Sequence, residues 1–212
     1  MQRALIVVDM QNDFLPGGAL AVPDGDAVIP HIVSLLRTEG RYDLLVFSQD
    51  WHPQGHGSFA SVHAGSSPFQ PGELDGLPQM LWPDHCIEAT EGARLVPEIE
   101  KLLPELKKKG RKIHIVKKGL DRTVDSYSAF FDNARRHDTG LAATLKSKGI
   151  KEVDVVGLAL DYCVKYTALD AASLGFSTRV LLQASRAVDP SSLEQVLTEF
   201  TGAGVVLVED DN

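Results

Sequence analysis

Asp154-Val155-Val156-Gly157-Leu158-Ala159-Leu160-Asp161-Tyr162-Cys163-Val164-Lys165 decides how the chain folds: an apolar run gives way to small residues and then to a helical pattern that continues to residue 174. A continuous apolar run bounded in this way reads as a strand buried on both faces, as in parallel sheets covered by helices. This run occupies residues 153–158, and five others share its character at 4–8, 43–49, 111–117, 178–183 and 205–208. Helical patterns lie between most of them, at 27–39, 96–109, 140–148, 162–174 and 191–200. Asp189-Pro190 supplies a cap and then a proline in the first turn, while Gly110, Gly149 and Gly175 stand where a left-handed residue ends a helix. The pattern predicts an α/β fold of three layers, a mainly parallel six-stranded sheet with helices on both faces.

Residues 50–91 break this rhythm with many Gly, Pro and Ser residues and little periodicity. A long irregular segment inside a compact domain is usually functional or disordered. Trp51, His52, Phe59, His63, Trp82 and His85 favour function, because that composition packs and binds.

At 212 residues, 43% hydrophobic and 24% charged, the chain is expected to form one globular domain over 1–212. The usual domain length is about 150 residues. Disordered, collagen-like and disulfide-scaffold classes are set aside. With 21 basic and 29 acidic residues the formal charge is −8, which argues against nucleic acid or an anionic membrane as partner and favours a small molecule. A homo-oligomer stays open. The apolar run before Asp9 is too short for a signal peptide or a membrane span, so a cytoplasmic location is expected. There the two cysteines, Cys86 and Cys163, would stay thiols.

Asp9 ends the first strand at the sheet edge where open α/β sheets bind ligands, although a capping role is the alternative. A phosphoryl-transfer site would need a second acid two residues on, and that position is Gln11. Cys163 falls in the first turn of a helix, where the dipole and unpaired N–H groups are expected to lower the thiol pKa and to bind an oxyanion. A buried structural cysteine is the alternative. Lys117-Lys118 ends the third strand at the same edge; a desolvated lysine there would hold an acid and a thiol as anions or relay a proton between them. Otherwise the pair simply continues the basic run at 107–112. Asp50 and His52, two apart in an extended segment, point to one side and make half of a metal site. His56, His63 and His85 are candidates for a third ligand, a set that suits zinc, iron or manganese with positions left for water. Cys86 faces away from its neighbour His85 and is assigned to the core.

Six motifs give the chain a recognisable character: residues 8–14 (VDMQNDF), 48–53 (SQDWHP), 82–86 (WPDHC), 118–119 (KG), 125–131 (DSYSAFF) and 157–164 (GLALDYCV). Together, nearly end to end, the chain resembles the nicotinamidases of the isochorismatase-like cysteine hydrolase superfamily. The resemblance implies a catalytic triad of Asp9, Lys118 and Cys163, and one divalent metal ion held by Asp50, His52 and His85 with waters, usually zinc, with iron or manganese as alternatives. It implies an oxyanion hole from the backbone amides of Ala159 and Cys163, after a cis peptide between Leu158 and Ala159. Phe14, Trp82, Tyr127 and Tyr162 would wall the ring of a flat aromatic amide. Leu160 stands where many relatives carry Thr, and His56, a fourth ligand in some relatives, is left out of the ligand set. The implied activity is hydrolysis of nicotinamide, and of pyrazinamide, to the acid and ammonia in NAD salvage. The alternatives are a related C–N hydrolase of ureido or carbamoyl compounds, or a metal-binding α/β module without catalysis.

Overall fold

The computed structural model describes residues 2–209. Six strands form one sheet: β1 Gln2–Val8, β2 Leu44–Asp50, β5 Ile113–Lys118, β6 Ile150–Leu158, β7 Ser177–Arg186 and β8 Val206–Val208, in the order β5-β2-β1-β6-β7-β8. Every pairing in it is parallel, so the expected mainly parallel sheet is wholly so among the described residues. All six expected strands are present, with ends shifted by a few residues.

Two apolar layers explain the continuous runs. Along β1, Leu5 and Val7 face one core with Phe47, Ile32 and Leu102, while Ala4, Ile6 and Val8 face the other with Val46, Val164 and Phe200. Alternation with period two thus buries both faces. Helices α1 Ile29–Arg37 and α2 Pro97–Lys108 cover the first face, and α3 Leu141–Ser147, α4 Lys165–Ser173 and α5 Leu193–Gly202 the second. Gly110, Gly149 and Gly175 follow α2, α3 and α4 with positive φ, and the Asp189 side chain accepts from the Ser191 N–H, as the sequence predicts. No helix among the described residues is long and apolar enough to cross a membrane.

The irregular segment holds an element the periodicity did not predict: an antiparallel hairpin, β3 Gln70–Leu74 and β4 Leu77–Leu81. Its turn is Asp75-Gly76, both with positive φ, the combination that joins two strands by two residues.

The sheet order reverses around β1. Strands added toward β2 and β5 lie on one side of it, and β6, β7 and β8 on the other. The crevice beyond the carboxyl ends of strands at such a reversal is where open α/β sheets place ligands.

Candidate active site and metal cluster

Four adjacent strands deliver the polar residues of this crevice. Lys118 ends β5, Asp50 ends β2, Asp9 follows β1, and β6 leads through a five-residue π turn, Leu160–Val164, to Cys163. All four side chains are buried. The Lys118 ammonium lies 2.8 Å from Asp9 Oδ2, and donates to Asp50 Oδ1 at 2.5 Å, the Ser126 carbonyl at 2.9 Å and Cys163 Sγ at 3.3 Å. Burial works against the charge, but the surrounding acids and sulfur hold Lys118 well above the ordinary lysine range. Of the two lysines that end this strand, Lys117 turns outward, its ammonium 3.3 Å from the centre of the Trp51 ring.

Asp9 is fixed from the next strand: the Ser48 hydroxyl donates to its Oδ1 at 2.6 Å. Burial raises its pKa above the usual carboxylate value, with Lys118 pulling the other way. One carboxylate oxygen each of Asp9 and Asp50 and the Cys163 sulfur lie within 4.8 Å of one another. The expectation that the helix start makes Cys163 acidic is corrected here. Cys163 sits inside the π turn, before α4 begins, and burial pushes its thiol well up, beyond what Lys118 offsets. A thiol pushed up by burial beside an acid of raised pKa suits proton transfer from one to the other at the moment of attack.

Asp50 is held twice. The Gln11 side chain donates to its carbonyl at 2.7 Å and accepts its N–H at 2.8 Å, while Lys118 takes Oδ1. Its Oδ2 faces His52 Nε2 at 3.6 Å and His85 Nε2 at 3.7 Å. Burial would raise the Asp50 pKa, but Lys118 and His52 carry it well below the carboxylate range. Each imidazole is oriented by a carbonyl: His52 Nδ1 donates to Gly119 at 3.0 Å and His85 Nδ1 to Pro83 at 2.8 Å. A carbonyl only accepts, so Nδ1 carries a proton in both rings, and it is Nε2 that turns to the Asp50 oxygen and is left to bind a cation when the ring is neutral. The gaps are too long for hydrogen bonds but near the spacing of about 3 to 3.5 Å between two ligands that share one ion at about 2.1 Å. Asp50, His52 and His85 therefore fit a divalent cation, with the outer hydrogen bonds such sites carry.

His56 does not fit as a fourth ligand. Its Nε2 lies 2.8 Å from the Asp121 carbonyl and so bears the proton, while Nδ1 takes the Ser58 hydroxyl at 2.8 Å and the Ser58 N–H at 3.2 Å. His63 Nε2 turns to the Gly57 carbonyl at 2.7 Å. Cys86 is buried in the core as expected.

Phe14, Trp82, Tyr127 and Tyr162 line one cleft with Ala159, Cys163, Asp50 and His85. Trp82 and Tyr127 meet Tyr162 edge-on, at 4.8 and 5.3 Å between ring centres. The Leu158–Ala159 peptide is cis. Leu160 turns into the apolar layer under α4. Composition and spacing left Ser48, Gln11, Gln79 and Asp125 without roles. Gln79 donates to Asp125 Oδ2 at 2.9 Å and to Tyr127 Oη at 3.0 Å, so it braces the cleft wall.

The isochorismatase domain model matches residues 3–210. The chain belongs to the isochorismatase family. Within that family it is 47% identical to a nicotinamidase of Escherichia coli over 97% of this chain and 93% of the relative. The yeast nicotinamidase solved with the inhibitor nicotinaldehyde superposes with a TM-score of 0.92 at 37% identity, over 99% of this chain and 100% of that one. A pyrazinamidase of Pyrococcus horikoshii solved in complex with zinc does so at 0.77 and 34% identity, over 99% and 100%.

Proposed function

We propose that this isochorismatase-family chain is an amidohydrolase that converts nicotinamide and water to nicotinate and ammonia, with Cys163 as nucleophile, and that pyrazinamide is also cleaved. The observation that carries this reading is the meeting of two carboxylates and a sulfur 2.5 to 3.3 Å from the buried Lys118 nitrogen, with Asp50 and Cys163 of that group lining an aromatic cleft.

Lys118 has three N–H donors and four acceptors around it, so the acceptors are not all served by it at once. The thiol proton supplies the remaining donor, and Asp9 is the acid that takes it. As the sulfur attacks the carboxamide carbon, the negative charge passes to the carbonyl oxygen, which the backbone amides of Ala159 and Cys163 receive. Asp9 then returns its proton to the departing nitrogen, ammonia leaves, and a thioester to Cys163 remains. Asp9 next accepts a proton from the water that cleaves the thioester, releasing the acid and restoring the thiol. Lys118 keeps one positive charge beside these anionic groups throughout.

Asp50, His52 and His85 would hold the divalent cation, which we take to be zinc; when bound it supplies an electrophilic centre that orients the substrate ring and acidifies water. Phe14, Trp82, Tyr127 and Tyr162 hold the ring flat, so the carboxamide meets Cys163 in an attacking arrangement. The reading takes residues 1–212 as one domain acting in NAD salvage. A cytoplasmic location accords with two free thiols.

The test replaces Cys163 by Ala with metal content verified. Ammonia release from nicotinamide should fall by at least about 10³-fold, as loss of a covalent nucleophile does. Release near the wild-type rate overturns the mechanism. Cleavage of ureido or carbamoyl compounds in preference to nicotinamide overturns the substrate.

A further inference from the structure

We propose that Asp161 is a positioning residue for Cys163, an inference that rests on Cys163 being the nucleophile. Asp161 lies two residues before the sulfur in the π turn and is buried, yet it is not among the residues lining the cleft. Its carboxylate reaches instead to the segment that follows β7: Oδ1 accepts the Val188 N–H at 2.9 Å, and Oδ2 accepts the Asp189 N–H at 2.9 Å and the Ser192 hydroxyl at 3.4 Å. Val188 stands in the cleft wall with Tyr162 and Cys163. One side chain thus joins the turn that carries the sulfur to the opposite lip of the same cleft.

The chemistry of the link calls for a carboxylate. Two consecutive backbone N–H groups arrive on two different oxygens, and an amide has only one acceptor atom to offer them. Asparagine at 161 would set an NH2 against an N–H and leave a buried donor without a partner, which the turn can relieve only by moving. The turn that would have to give is the one closed by the Tyr162 and Val164 N–H groups on the Ala159 carbonyl, at 3.1 and 3.0 Å. Displacement of the sulfur by about 1 Å from Lys118 and Asp9 is enough to slow attack by about 10²-fold.

Three variants test this: Asp161→Asn, Asp161→Glu and Ser192→Ala, each assayed well below its melting temperature. Two readouts are taken: kcat for ammonia release per Cys163 titrated by iodoacetamide, and the alkylation rate of Cys163 followed by peptide mass spectrometry against the wild-type protein under the same conditions. Asp161→Asn should lower kcat by about 10²-fold with KM within about threefold, and slow alkylation of Cys163 by at least about tenfold. Ser192→Ala removes the 3.4 Å contact and the hydroxyl's 2.7 Å bond to the Asp189 carbonyl but leaves both N–H groups on the carboxylate, and should stay within about threefold of wild type on both. Asp161→Glu keeps both acceptors on a longer arm and should lie between; if the Asn variant does not fold, the Glu variant alone decides. Wild-type kcat per titrated thiol together with wild-type alkylation in the Asn variant, or in the Glu variant where only that one folds, overturns the proposal. Alkylation needs no substrate, so a wild-type protein inert toward nicotinamide would sink the substrate assignment while this readout still judged Asp161.

Discussion

Gly119 has no side chain where His52 needs the space. The imidazole Nδ1 donates to the Gly119 carbonyl at 3.0 Å, and a Cβ on residue 119 would lie 2.4 Å from His52 Cε1. The residue also has φ +68, a conformation that most L side chains adopt only under strain. The Lys-Gly pair of the sequence thus joins two functions. Lys118 turns its ammonium into the crevice, and the next residue uses its carbonyl to aim His52, a proposed metal ligand. Gly119→Ala should therefore weaken zinc binding by about 10- to 100-fold, the usual effect of disturbing an outer hydrogen bond of a ligating histidine. Competition against a chelator of known affinity measures this. Unchanged affinity in a folded variant would show that His52 is held by other means.

Lys118 lies between two buried carboxylates at 2.8 and 2.5 Å, so its removal leaves Asp9 and Asp50 as neighbouring like charges without the ammonium that both share. Breaking a buried pair from one side typically costs about 3 to 5 kcal/mol. Lys118→Met, which keeps most of the volume, should lose stability in that range in urea unfolding of the metal-free protein, and turnover with it. Stability within about 1 kcal/mol of wild type would mean that the acids had shed their charge by taking up protons.

Much of this site could be read before any coordinates. Strand ends are legible because a buried parallel strand is a run of apolar residues, and the polar residues at its carboxyl end lie at the ligand-binding edge; Asp9 is the first such residue after its run and Asp50 the third after its own. Composition and strand position alone do not rank Lys117 against Lys118; the Lys-Gly match of the resemblance favours Lys118, and the register of β5 against β2 puts that side chain in the crevice. The acidity of Cys163 was misjudged because helix position is visible in a sequence and depth of burial is not; burial here outweighs the neighbouring ammonium. The hairpin of β3 and β4 was signalled by Asp75-Gly76, but its strands are short and contain Pro71, Gly72 and Pro78, which hide the alternation. Gln11, Ser48 and Asp161 act through backbone and carboxylate partners between 27 and 82 positions away in the chain, which no local pattern reveals.

Acid should silence the protein before it unfolds it. Asp9 must be ionised to accept the thiol proton, and burial raises its pKa, so activity should fall as pH drops through a value above the usual carboxylate range. Asp50 is shifted the other way by Lys118 and His52 against its own burial, so the stability it contributes is present above its unfolded pKa and is lost only as pH falls through its depressed folded value. Between the two lies a window in which the fold persists and turnover does not. Profiles of kcat/KM and of far-ultraviolet circular dichroism against pH, taken down to about pH 3, should separate on the acid side and the activity should return on neutralisation. Coincident loss of both signals would remove Asp9 as the base.

His56 offers the sharpest test of the ligand set, because its ring lies beside that of His52, with centres 4.3 Å apart, and yet both its nitrogens are committed. Nε2 gives its proton to the Asp121 carbonyl and Nδ1 spends its lone pair on Ser58, so coordination would require the ring to abandon both. If the bonds to Asp121 and Ser58 are what His56 is for, His56→Ala should still bind one zinc per chain with affinity within about threefold of wild type, while losing about 1 to 3 kcal/mol of stability through unpaired buried groups. If His56 is a ligand instead, the order reverses and the loss shows first in metal affinity. Equilibrium dialysis and urea unfolding of the metal-free variant, run side by side, tell these outcomes apart, since the hydrogen bonds exist with or without the ion and a coordinate bond does not.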